Sequence, residues 1–235
     1  MKRVRLFKLS FLLLPLLLVA CRFTSSESQS IIEWVDFVRW NGVEYNGVQS
    51  GVLANENFID EKVGEVKFKV SDHITNPRYK IKDGDAAFHE KGTEIYSIKG
   101  NPELLALKDK TSINGYKVYF AKGTTEYKWY FKDVPIEKVD LIEIYQSYSP
   151  NKKKISEIKE KEKIISFLDI LKNSKEDSNF QPSNANTDPT HYEIVLYTDE
   201  PIAYKYDIEF DGANYYWYPW DTSILSNEIG KFIPK

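Results

Sequence analysis

The chain has 235 residues, with 32 Lys+Arg against 35 Asp+Glu and a single cysteine. That balance excludes the basic face or stripe expected of a nucleic-acid binder, and one thiol excludes an intramolecular disulfide framework. With 42% hydrophobic residues the chain can still build a core without such staples, as one large domain or two small ones.

Residues 1–20 read as a signal peptide. Lys2, Arg3, Arg5 and Lys8 give a cationic start, and residues 9–20 form an apolar run broken only by Ser10 and Pro15. At about 1.5 Å rise per residue this run spans roughly 18 Å, short of the ~30 Å hydrocarbon core, so a permanent transmembrane helix is the weaker reading. Removing the four leader cations leaves 28 Lys+Arg against 35 Asp+Glu, a net charge near −7. Cys21 follows, and residues 22–30 (RFTSSESQS) are small and polar, which predicts a flexible tether over 21–30.

Structure is expected from Ile31. The run IIEWVDFVRW is rich in β-branched and aromatic residues, and Asn41-Gly42 marks a hairpin, with a second turn expected at Asn46-Gly47. FIDEKVG, from Phe58 to Gly64, reads as a short helical turn. EVKFKV then alternates, pointing Val66, Phe68 and Val70 inward. Further strands are expected at AAFHE, TEIYSIKG, ELLALKD and GYKVYFAK, which together predict a small antiparallel sheet or barrel over residues 31–134.

From Asp133-Val134-Pro135 the character changes. VDLIEIYQSYS is strand-like, and Pro150-Asn151 with the following lysines reads as a turn. KEKEKIISFLDILKN is a helix, because Ile164, Phe167, Leu168 and Leu171 fall on one stripe. Residues 174–189 read as a long loop. HYEIVLYT and AYKYDIEF pair around Asp199-Glu200-Pro201, Asp211-Gly212 turns into NYYWYPW, and Asp221 is expected to cap a closing helix through Ile233. The fold class is therefore α+β: a mostly antiparallel N-terminal β unit, then residues 135–235 as two helices on an antiparallel sheet.

The junction Leu18-Val19-Ala20-Cys21 resembles the lipobox of bacterial lipoproteins. That resemblance implies cleavage between Ala20 and Cys21, a diacylglycerol and palmitate modification of the Cys21 thiol, and attachment to the extracytoplasmic face of the cell membrane. Stable anchoring by lipid needs more than one chain, at about 0.8 kcal/mol per buried CH₂. Residues 34–120, through WVDFVRWNGVEY, VGEV and DGDAAFHEKGTEIYSIKG, resemble a module of uncharacterised exported proteins of bacilli. Residues 136–233, with IISFLDILKNSK, a loop and Tyr-rich strands, resemble a lipoprotein domain of unknown function from Gram-positive bacteria. These likenesses imply export, lipidation and fold class, and carry no activity.

The candidate chemistry is sparse. His73, His89 and His191 are isolated, without the close spacing of a transition-metal site, so no metal or cofactor is expected. No nucleophile elbow, phosphate loop, dinucleotide fingerprint or HExxH is present. Asp83-Gly84-Asp85 is a turn before it is a calcium site, and residues 90–94 (EKGTE) are a hairpin loop before a binding loop. The most suggestive run is Tyr215, Tyr216, Trp217, Tyr218 and Trp220, with Trp34 and Trp40. As a strand it points alternate rings to opposite faces, so it serves either as packing between two units or as a contact surface. The expected function is a non-catalytic lipoprotein that binds or modulates an envelope protein or wall glycan. An envelope hydrolase or a solute-binding lipoprotein is the alternative.

Overall fold

The computed structural model describes residues 32–123, 130–148, 151–183, 188–218 and 223–234, so Ala20, Cys21, Trp220 and Asp221 lie outside the described residues. Among the described residues the chain is mostly β, in two sheets. Trp34–His73 and Lys80–Lys235 form one unit. Within Ile74–Tyr79, which stands outside it, the Arg78 and Tyr79 N–H groups donate back to Asn76 and close a turn.

The first sheet is built from β1 (Phe37–Trp40), β2 (Val43–Gly47), β4 (Ile59–Glu65), β5 (Phe68–Lys69), β6 (Asp85–Ala86), β7 (Glu94–Ile98), β8 (Asn101–Lys108) and β9 (Tyr116–Ala121). Its order is β4-β7-β8-β9-β2-β1-β6-β5. β4 and β5 are consecutive stretches of one segment, so the two ends of the sheet meet in the same piece of chain. The Val66 and Gly92 bonds on one side and the Lys67 and Val70 bonds to Gly84 and Ala86 on the other complete that join. Val38, Tyr45, Ile95, Leu107 and Tyr119 fill the enclosed side. Leu104, Ala106 and Val118 bury the opposite face of β8 and β9, against Leu53.

Local chemistry explains the β1–β2 hairpin. Asn41 and Gly42 take φ of +49° and +78°, the two left-handed positions that an Asn-Gly turn supplies. Asn46-Gly47, in contrast, is not a turn. Gly47 ends β2, and a Cβ there would stand 2.4 Å from Asp36 Oδ2, so the glycine serves a close approach. The helical turn read from Phe58 to Gly64 is also corrected. A 3-10 turn at Glu56–Phe58 is capped by Asn55, and the chain then runs as strand because β4 pairs with β7.

The second sheet has the order β11-β10-β13-β14-β15-β16-β12, from β10 (Leu141–Tyr148), β11 (Asn151–Ile158), β12 (Lys175–Glu176), β13 (Thr190–Tyr197), β14 (Ile202–Phe210), β15 (Tyr215–Tyr218) and β16 (Ser223–Leu225). A strand from the first half, β3 (Gly51–Leu53), pairs with β14 beside it. Helix α1 (Lys161–Lys172) buries Ile164, Phe167, Leu168 and Leu171, the stripe predicted from the sequence, in a core with Ile142, Ile144, Ile194, Ile208 and Trp217. The lysines after Pro150 are strand β11, which pairs with β10, and Lys154 and Lys152 reach carboxylates on β10 and on β13 beyond it. The closing helix is replaced by β16 and a 3-10 turn at Asn227–Phe232 capped by Ser226. β16 pairs with both β15 and β12, which takes up the residues a longer helix would need.

Candidate functional site

The face of the second sheet turned away from α1 is apolar at one end, where Val52, Val195, Tyr197 and Ala203 cluster, and polar at the other. Strand alternation in β13 puts His191 and Glu193 on that face, and alternation in β14 puts Lys205, Asp207 and Glu209 beside them. The register sets His191 opposite Glu209 and Glu193 opposite Asp207. His191 Nε2 lies 3.4 Å from Asp207 Oδ1, and Nδ1 lies 3.6 Å from Glu209 Oε1. Tyr216 donates to Glu209 Oε2 at 2.6 Å, and the Tyr218 ring meets the imidazole edge-on at 5.6 Å. Glu193, only 5% exposed, accepts from Ser147 Oγ at 3.0 Å and Lys152 Nζ at 2.9 Å. Lys205 Nζ stands 3.3 Å from Asp207 and 3.8 Å from Glu193.

This company sets the ionisation of the group. The Asp207 carboxylate raises the pKa of His191 against the opposing effect of burial. Burial pushes the Asp207 pKa up, but His191 and Lys205 outweigh it and hold the carboxyl below its usual range. Further along the face, Glu143 accepts from Tyr145 at 2.6 Å, Tyr197 at 2.7 Å and Lys154 at 2.7 Å. Burial opposes its ionised form, yet these three donors keep Glu143 ionised to lower pH than usual. Burial and the same carboxylate push the Tyr197 phenol up to about 12. Asn114, in a left-handed conformation, donates to Leu53 O and to the Tyr197 hydroxyl, tying the turn before β9 to this network.

Beside the cluster lies a cleft of about 320 Å³, lined by Asp109, Thr111, Ser112, Lys117, Lys152 and Lys205 among others. Its lining is ammonium, carboxylate and hydroxyl, with Gly51 and Val52 of β3 as part of its wall.

The other sequence candidates fall in separate places. His89 is in the first sheet, where its Nε2 is 2.7 Å from the Tyr119 hydroxyl, which donates to Asp36 Oδ1 at 2.8 Å. Since the phenol proton goes to Asp36, Nε2 of His89 carries the proton of that second bond. Lys117 Nζ approaches Asp36 Oδ2 at 2.5 Å as an ion pair lying off hydrogen-bond geometry. His73 is exposed and rests on Phe68. Asp83 and Asp85 each accept a backbone N–H, from Gly42 and Lys82, around Gly84 at φ +92°, which is the expected turn.

The aromatic run divides as alternation requires. Trp217 is buried among Phe131 and Tyr206, and Tyr215 stacks on Phe210 at 4.3 Å, both on the α1 side. Tyr216 is buried on the polar side, and Tyr218 alone of these four is well exposed, at 46%. Trp34 and Trp40 are half-buried, Trp34 beside Phe37 and Trp40 against Gly64. The run is thus no continuous aromatic surface. The His191, Glu193, Asp207 and Glu209 grouping was missed, although the spacing His-x-Glu and Asp-x-Glu on adjacent predicted strands carries its signal. No family model matches this chain, and no curated protein or solved structure does either.

Proposed function

We propose that this chain is a membrane-anchored extracytoplasmic lipoprotein of a Gram-positive envelope, held through lipid on Cys21, that binds another envelope component without transforming it. The observation that carries the binding half is the cleft beside β3, where Lys117, Lys152 and Lys205 share one lining with Asp109, Thr111 and Ser112. Such a lining suits a partner rich in charge and hydroxyls, as an envelope protein or a wall glycan is. The lipobox resemblance at residues 18–21 and the polar tether behind it support the anchoring half. Among the described residues no helix is long and apolar enough to cross a membrane. The hydrolytic alternative asks for a carboxyl held protonated as a general acid. Glu143 and Asp207 are instead held ionised by their lysine, tyrosine and histidine neighbours. The same reading takes residues 31–134 as a barrel-like β unit and 135–235 as an α+β unit.

A photo-crosslinking residue in place of the exposed Gln49, at the mouth of the cleft, tests the binding half in intact cells. One recurrent adduct is expected, absent when the same residue replaces exposed Lys99, at the opposite end of β8 from Asp109; identical patterns from both positions would refute it. Palmitate labelling of wild type against Cys21→Ser tests the anchor, and equal labelling would sink that half.

A further inference from the structure

The polar face of β13 and β14 has a feature that ion pairing alone does not call for. His191, Glu193 and Asp207 each present one ligand atom, and these atoms lie within 4.8 Å of one another. We propose that these three side chains bind a first-row divalent metal cation of the Zn²⁺ or Mn²⁺ type, with Glu209 orienting the histidine.

Geometry is the first support. His191 Nε2 and Asp207 Oδ1 are 3.4 Å apart. Two ligands on a tetrahedral ion with bonds of about 2.0–2.1 Å stand about 3.3 Å apart, so this pair needs little movement to close on a metal. Orientation is the second. Metal-binding imidazoles hold their far ring N–H against a carboxylate, which fixes the tautomer. Glu209 Oε1 lies 3.6 Å from Nδ1, and the buried Tyr216 hydroxyl pins its other oxygen at 2.6 Å. Without a metal the nearer Asp207 faces the Nε2–H; a metal would take the place of that proton and leave the ring N–H on Nδ1, toward Glu209. Rigidity is the third, since Glu193 is buried and anchored by Ser147 and Lys152.

A cation already stands at this place. The Lys205 ammonium sits between Asp207 and Glu193, at 3.3 and 3.8 Å, both long for a charge-assisted bond. With a neutral imidazole, Glu193, Asp207 and Glu209 exceed Lys152 and Lys205 by one negative charge. A divalent ion would displace the head of Lys205, a residue that also lines the adjoining cleft. One nitrogen and two carboxylate donors suit zinc or manganese. Calcium, which takes six to eight oxygens, is poorly served.

The test uses the full chain, stripped with chelator and titrated with Co²⁺ by visible absorption, then with Zn²⁺ in competition. One ion per chain is expected, with a histidine-bearing Co²⁺ spectrum. His191→Ala and Asp207→Asn should each lose at least about 100-fold in affinity, and Glu209→Gln about 10–100-fold, the range found for such outer partners. Lys205→Met should tighten binding, because it removes the competing ammonium. Absence of saturable binding, or affinity unchanged in His191→Ala, would overturn the proposal. Should His191→Ala fail to fold by circular dichroism, Lys205→Met decides: tighter binding supports the site and unchanged or weaker binding refutes it.

Discussion

Tyr119→Phe removes a single oxygen from the enclosed side of the first sheet while keeping the ring that fills it. Tyr119 is fully buried, and its hydroxyl is the middle of a three-residue chain from Asp36 to His89. Without it, the Asp36 carboxylate, whose side chain is 9% exposed, keeps Lys117 but loses its phenolic donor. Hydrogen bonds to a charged group contribute about 1.5–3 kcal/mol, and a buried donor left unmet, here His89 Nε2–H, costs about 1–3 kcal/mol. Allowing His89 to relax toward solvent, the net loss should be about 2–4 kcal/mol. For a folded body of this size that corresponds to a fall in Tm of about 5–15 °C. Urea unfolding of wild type and variant, followed by tryptophan fluorescence, measures it. Combination with Asp36→Asn should be less than additive by at least about 0.5 kcal/mol, since the two share one bond. A loss below about 0.5 kcal/mol in Tyr119→Phe, or strict additivity with Asp36→Asn, would refute the claim that this chain of bonds stabilises the sheet.

The same histidine gives a pH dependence. Burial lowers the pKa of His89 below its ordinary 6.5, so the folded state takes up its proton later than the unfolded state as pH falls. Its stabilising contribution is present above about pH 6.5 and is lost as pH drops from there through the folded value, so His89→Gln should flatten the unfolding free energy in that window. Gly64→Ala would put a Cβ 2.0 Å from Trp40 Cη2, and the indole must swing away, at a cost of about 1–3 kcal/mol. In a Trp40→Ala background that penalty should disappear in the same denaturation assay. Phe167→Ala opens a cavity under α1, where the ring is fully buried against Phe232, and should cost about 3–5 kcal/mol with loss of near-UV dichroism before far-UV.

How much was legible beforehand depends on how far apart the causes lie. The α1 stripe, the Asn41-Gly42 turn and the β13–β14 pair are written within a few residues, as periodicity or as a φ requirement, and all were readable. The lysines of β11 were misread because their local composition is that of a turn. The carboxylates they reach from β11, Glu143 and Glu193, stand 11 and 41 positions away. Gly47 and Gly64 looked like turn or stop signals, while their reason is a side chain pressed against them from another segment.

The sequence by itself determined the two kinds of regular structure, through apolar spacing, and it carries the charge pattern and the Leu-Val-Ala-Cys junction on which the proposed lipid anchor rests. Those signals are local, and short-range sterics and burial suffice to express them. Only the tertiary structure decided that Tyr216 and Trp217 go inward, that β3 joins the second sheet and that Asp36, Tyr119 and His89 meet. It alone also set His191, Glu193, Asp207 and Glu209 in one square. Each of these depends on strand register, and register is chosen by the whole packed core at once rather than by any stretch that composes it.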